Sequence, residues 1–138
     1  MADTHTPLVR SYNMSRIRSK NTKPELLVRQ FLHSKGLRFK LHEPSLPGKP
    51  DLVFPKYRTV ININGCFWHL HSGCKFSVMP KTKTEYWENK LLKNKARDVK
   101  NTELLEMSGW KVIVVWECEL KKDKLEETLN SLYSSITS

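Results

Sequence analysis

Eleven residues, NGCFWHLHSGC from Asn64 to Cys74, hold two cysteines, two histidines and two large aromatics. The third cysteine of the chain, Cys118, closes the apolar run VIVVW. Cys66-x4-His71-x2-Cys74 completed by Cys118 would supply three thiolates and an imidazole. Such a set forms a closed tetrahedral zinc site, structural because no position is left for a substrate. It uses every cysteine in the chain. The competing reading is three unrelated buried cysteines beside a surface histidine. Redox chemistry fits less well, because no Cys-x-x-Cys pair is present.

His69 falls outside this set and is free for other work, although a lone histidine is more often a hydrogen-bonded structural residue. Phe67 and Trp68 are adjacent and cannot both face one core. They either pack inside or stand on a pinned loop, where exposed aromatics can wedge between stacked bases; both readings are open. Asp51 follows LPGKP at the mouth of an apolar segment. Phosphodiester attack builds charge that a carboxylate-held Mg2+ can neutralise, and Asp51 is suited to that task. Taken alone, a Pro-Asp pair merely starts a strand.

The surrounding elements can be read from period and punctuation. NTKPELLVRQFLHSKG predicts a helix: Thr22 and Glu25 have capping-box spacing, Pro24 sits in the first turn and Gly36 closes the end. Leu27, Val28, Phe31 and Leu32 form its buried stripe. LRFKLH (37–42) alternates strictly and predicts a strand with Leu37, Phe39 and Leu41 to one side. EPSLPGKP is turn chemistry leading to a second strand, DLVF, and PKYR turns the chain into a third, TVININ. TEYWENKLLKNKARDVKNTELLEMSG is helical, with Leu92, Ala96 and Val99 on its apolar face and Gly109 as a stop. WKVIVVWE (110–117) predicts a buried strand, and KDKLEETLNSLYSSI a final amphipathic helix. The order implies a mixed α/β sheet with helices on both faces. A crossover helix between TVININ and VIVVW makes those strands parallel neighbours, so Cys66 and Cys118 emerge from one end.

At 138 residues the chain has the size of one domain. Residues 1–21 lack apolar periodicity and carry Arg10, Arg16, Arg18 and Lys20; they read as a basic arm preceding a single domain over 22–138. Residues 1–100 hold 20 Lys and Arg against 7 Asp and Glu, and residues 101–138 hold 4 against 7, for a net charge of +10. A basic body with an acidic tail suggests a face that meets a polyanion; a merely soluble surface is the bland alternative. No run is long enough to span a bilayer and nothing at the start resembles a signal peptide. The expected compartment is the cytoplasm, where an odd cysteine count argues against disulfides.

MSRIRSKNTKPE, LPGKPDLVFP, YRTVININGCFWHLH, TEYWENKLLKNKARD and GWKVIVVWECEL occur in this order over residues 14–120. Together they resemble the very-short-patch-repair (Vsr) mismatch endonucleases, with GCFWH and VWECEL the most specific. The resemblance implies the restriction-endonuclease-like fold, a central mixed sheet flanked by helices. It implies that Asp51 binds Mg2+ directly and that the backbone carbonyl of Ile63 is a second ligand. His69 would be the general base on the attacking water, and Glu25 would reach the metal site through water. Cys66, His71, Cys74 and Cys118 match the family's zinc ligands. Phe67, Trp68 and Trp87 match aromatics that intercalate beside the mismatch, and Met14 one that enters from the opposite groove. Lys and Arg in the arm and in Lys90–Lys100 would hold phosphates.

The chain departs from the family at Asn64, where a second histidine is common, so His69 would bear more of the proton transfer. Asn62 and Asn64 also stand where the general nuclease pattern has an acid and a lysine. The implied activity is Mg2+-dependent nicking of one strand 5′ to the T of a T·G mismatch in double-stranded DNA. Such mismatches arise when 5-methylcytosine deaminates, so a cytosine-5 methyltransferase is expected in the same bacterial cell. The enzyme would be a nucleoid-associated monomer. A restriction or defence nuclease cutting unmodified duplex, and a zinc-pinned DNA-binding module without catalysis, are the rival readings.

Overall fold

A computed structural model describes residues 22–69, 71, 74 and 81–138. The arm expected over residues 1–21, with Met14, lies outside the described residues. The elements run α1 (Lys23–Ser34), β1 (Lys40–Leu41), β2 (Leu52–Phe54), β3 (Thr59–Asn64), α2 (Thr84–Met107), β4 (Lys111–Trp116) and α3 (Leu125–Thr137). One-turn 3-10 helices follow β2 (Pro55–Tyr57) and β4 (Glu117–Leu120). The order is the one expected from the sequence.

The strands lie in the order β1-β2-β3-β4. β1 and β2 are antiparallel, as are β2 and β3, while β4 runs parallel to β3 with Asn64 opposite Trp116. This alternation of direction matters for chemistry. The C-terminal ends of β1, β3 and β4 and the N-terminal end of β2 all meet at one end of the sheet. His42, Asp51, Asn64 and Cys118 are therefore delivered to one place by register alone.

Strand alternation sorts the core onto two faces. Leu52, Phe54, Ile61 and Val115 point to one, where Val28 and Leu32 of α1 and Leu129, Leu132 and Ile136 of α3 bury against them. Val53 and Val60 point to the other and meet Leu105 of α2 with Trp110 and Val112. Thr22 caps α1 by accepting the Glu25 N–H at 3.5 Å. Gly48 in the LPGKP loop has φ +75°, and a Cβ there would stand 2.9 Å from Asn101 Nδ2 of α2. Glycine is thus required twice over, for backbone hand and for close approach.

Three expectations need correction. β1 spans Lys40–Leu41, shorter than residues 37–42. Leu37 and Phe39 do pack on the core, but Leu41 is exposed and His42 turns to φ 47°, which ends the extended run. Among the described residues β4 is an edge strand and not a fully buried one; Val115 is buried whereas Val114 is exposed. In α2 the face bearing Leu92, Ala96 and Val99 is turned to solvent. The inward line is Leu91, Asn94, Asp98 and Leu105, whose middle is polar. Apolar periodicity picks the wrong face here because the inward positions near the sheet end are occupied by groups that hold the loop after β3.

Candidate active site

Glu25, His42 and Asp51 come from three elements, and their ligand atoms all lie within 4.8 Å of one another. Glu25 begins α1 and is buried, 2% exposed. Its carboxylate is engaged by Arg29 one turn on and stands 2.8 Å from His42 Nε2. The carboxylate faces the cluster, so the capping-box spacing serves the helix only through Thr22. Asp51 accepts the N–H of Ile63 on Oδ2 at 2.7 Å, leaving Oδ1 turned towards His42 Nε2, 3.8 Å away.

These contacts set the electrostatics. Burial pushes the Asp51 carboxyl from 3.8 up to about 6, and Glu25 nearby adds to the rise. The Ile63 N–H opposes it, as do His42 and His69. Asp51 ionises less readily in this partly dry site beside Glu25, and a cation would relieve that. The donor chemistry, carboxylate oxygens with one imidazole nitrogen, suits a divalent metal. His69 lies within electrostatic reach of Asp51, although the two arise from different loops.

His69 is fixed from α2. Its Nδ1 stands 2.5 Å from Asp98 Oδ2. Asn94, one turn earlier, donates from Nδ2 to the Trp68 carbonyl at 3.3 Å. Two polar residues four apart on one helix thus hold two consecutive loop residues. An Nδ1–H donated to the Asp98 carboxylate leaves Nε2 as the ring nitrogen turned to other partners.

A second constellation gathers at the same end of the sheet, after β3 and β4. Cys66, His71, Cys74 and Cys118 bring their ligand atoms within 4.8 Å of one another. Cys118 Sγ and His71 Nδ1 are 3.4 Å apart; a tetrahedral zinc with ordinary Zn–S and Zn–N bonds gives about 3.6 Å for that edge. His71 stacks on Trp116, with ring centres 4.1 Å apart and planes 4° from parallel. Burial pushes the Cys66 thiol up to about 12, and raises Cys118 likewise. Thiols this desolvated become thiolates only when a cation supplies the charge, so the set fits a metal and does not fit a reactive nucleophile.

Phe67 and Trp68 follow Cys66 in the loop after β3, and Trp87 comes from α2. Phe67, Trp68 and Trp87 form a triangle of edge-on rings, with centroids 5.0, 5.6 and 5.8 Å apart. All three are only partly buried, and none belongs to either core cluster. They pack on one another outside the two core clusters. Along α2, Tyr86, Asn89, Lys90, Lys93, Asn94 and Arg97 line a groove of about 350 Å³, a basic surface beside the rings.

Comparison with known proteins decides the family. The model of the DNA mismatch endonuclease Vsr family matches residues 2–75. The chain belongs to the Vsr family. It is 50% identical over 120 residues to the type II nicking enzyme V.XorIIP of Xanthomonas oryzae pv. oryzae, covering 87% of this chain and 88% of that one. It is 49% identical over 137 residues to the nicking enzyme V.NmeAIP of Neisseria meningitidis, covering 99% and 97%. To the DNA mismatch endonuclease Vsr of Escherichia coli it is 42% identical over 128 residues, covering 92% and 81%. This Vsr-family chain is accordingly a DNA mismatch endonuclease with the restriction-endonuclease-like α/β fold. Its substrate is DNA. No helix among the described residues is long and apolar enough to cross a membrane.

Sequence reasoning overlooked three residues of the site of this Vsr endonuclease. His42 was legible only as an outward polar position of a strand. Its pairing with Asp51, whose carbonyl accepts the His42 N–H at 3.1 Å, needs the β1–β2 register. Asn94 and Asp98 lie inside the helix TEYWENKLLKNKARD, and their signal was a polar i, i+4 pair in line with Leu91 and Leu105. Asn64, by contrast, sits where expected, buried at the end of β3.

Proposed function

We propose that the enzyme nicks one strand of a T·G-mismatched duplex 5′ to the T, with Mg2+ at Asp51 and a structural zinc at Cys66, His71, Cys74 and Cys118. The supporting observation is convergence: Asp51, His69 and the aromatic triangle gather at one end of the sheet. A divalent ion held by Asp51 and the Ile63 carbonyl, with Glu25 reaching it through water, would neutralise charge building on the scissile phosphate. A strand residue's N–H and C=O face the same neighbour. The Ile63 N–H is bonded to Asp51, so its carbonyl faces that side as well.

The chain's own groups supply the remainder. His69 Nε2 takes the proton of the attacking water, and Asp98 holds the ring in that tautomer and steadies the imidazolium that forms. Water oxygen bonds to phosphorus as the bond to the 3′ oxygen breaks, and that oxygen takes a proton from solvent water, leaving a 3′-hydroxyl and a 5′-phosphate. Asn64 can orient water but cannot carry its proton, so His69 is the base. Phe67, Trp68 and Trp87 enter the stack beside the mismatch, aided by Met14 from the arm. Unstacking costs a few kcal/mol per step, and less at a weakened pair, which turns weak pairing into preference.

Lys90, Lys93 and Arg97 hold phosphates without reading sequence. Two close relatives are named nicking enzymes, which supports cutting of a single strand. A cytosine-5 methyltransferase in the same cell would generate the substrate through deamination of its product, and the enzyme would act as a monomer. The test is Asp51→Ala assayed side by side for binding and cutting. The expected outcome is loss of nicking on a T·G duplex with mismatch binding retained. Persistent nicking would refute the role of Asp51.

A further inference from the structure

We infer that His42 Nε2 is a direct ligand of the catalytic cation. With Asp51, and with Glu25 reaching the ion through water, it forms a mixed imidazole–carboxylate site that holds manganese-class ions more tightly than magnesium. This deepens the reading of Asp51 given above and rests on it.

The geometry carries the inference. His42 Nε2 lies 2.8 Å from Glu25 Oε2 and 3.8 Å from Asp51 Oδ1, and the three atoms are mutually within ligand-sharing range. Despite that proximity, Nε2 is fully buried and makes no hydrogen bond of acceptable direction. A buried ring nitrogen that faces two carboxylates without an aligned bond is costly as it stands, and a cation bonded to Nε2 and Asp51 would give that nitrogen its partner. The partners are fixed before any ion arrives. Arg29 holds Glu25, the Ile63 N–H holds Asp51 Oδ2, and the His42 N–H bonds the Asp51 carbonyl at 3.1 Å. That backbone bond ties the residue after β1 to the residue before β2.

The ligand set dictates preference. Magnesium demands near-ideal octahedral oxygen coordination and gives up water reluctantly. Imidazole favours later divalent metals, and affinity for a mixed N/O site rises from manganese towards cobalt and nickel. The alternative arrangement is a protonated His42 bridging two acids with no bond to metal.

Manganese binding to the zinc-loaded protein separates these, followed by loss of the free-ion paramagnetic resonance signal. Nitrogen modulation of the bound-ion spin echo reports a directly bonded ring. The wild type should show that modulation and bind manganese more tightly than magnesium in competition. His42→Gln, with zinc content unchanged, should lose the modulation and weaken manganese binding about tenfold or more. Bound manganese without nitrogen modulation in the wild type, or unaltered affinity in His42→Gln while Asp51→Ala binds none, would overturn the inference and leave the Asp51 site standing. Absence of any manganese binding beyond the zinc site would overturn both.

Discussion

Replacing Asp51 by Asn should abolish cutting and yet make the magnesium-free protein more stable. Burial and the neighbouring Glu25 raise the Asp51 carboxyl from 3.8 to about 6. An acid whose folded value is raised opposes folding when it ionises. The penalty is absent below 3.8, grows between 3.8 and 6, and is complete above 6. At about 1.4 kcal/mol for each tenfold change in acidity, the full penalty is about 3 kcal/mol. The Asp51 side chain is still 25% exposed, and solvent screening reduces this to about 1–2 kcal/mol. Asparagine keeps an oxygen for the Ile63 N–H and removes the charge beside Glu25. Thermal unfolding of zinc-loaded protein in magnesium-free buffer should therefore show Asp51→Asn melting about 4–8 °C above wild type at pH 7.5. The gap should narrow as pH falls through 6. Added Mg2+ should raise the wild-type melting point and leave the variant unmoved. A variant equal to or less stable than wild type, or a gap indifferent to pH, would refute the electrostatic reasoning.

Other perturbations address the remaining parts. Cys118→Ser should release zinc, measured by stoichiometric metal analysis, and lower the melting temperature, because structural zinc contributes folding energy directly. Asp98→Asn can donate to His69 Nδ1 and so reverse the ring's tautomer; single-turnover nicking should fall about 10²–10⁴-fold with DNA affinity unchanged. Trp68→Ala should erode the preference for mismatched over matched duplex in competition binding while leaving zinc in place. Leu105→Ala, in the small core beneath α2, should cost about 2–5 kcal/mol in denaturant unfolding without altering metal content.

Much of this could be read from the chain. The order of elements along the chain, the parallel β3–β4 pair and the meeting of Cys66 with Cys118 at one sheet end followed from helix and strand periods and the crossover helix between the two strands. Asp51 after LPGKP was a candidate by its place at a strand mouth, and only the resemblance to the mismatch endonucleases gave it a role. What escaped was set by pairing at long range. His42 looked like any polar residue of an alternating strand until β1 was laid against β2. The face of α2 was misjudged because Asn94 and Asp98 point inward to hold Trp68 and His69 while Leu92 and Val99 face solvent. Hydrophobic periodicity reports burial against apolar partners, and it fails where an element is turned inward to serve a polar site. The edge position of β4 was hidden for a related reason: β-branched content signals strand, not the number of neighbours.

The most direct test of the account is strand-resolved nicking by the wild-type enzyme on two duplexes of the same sequence, one with a T·G pair and one with T·A. The account predicts a single cut 5′ to the mismatched T, dependent on divalent metal, with the T·A duplex largely intact. Equal cleavage of both duplexes, or scission of both strands, would contradict it.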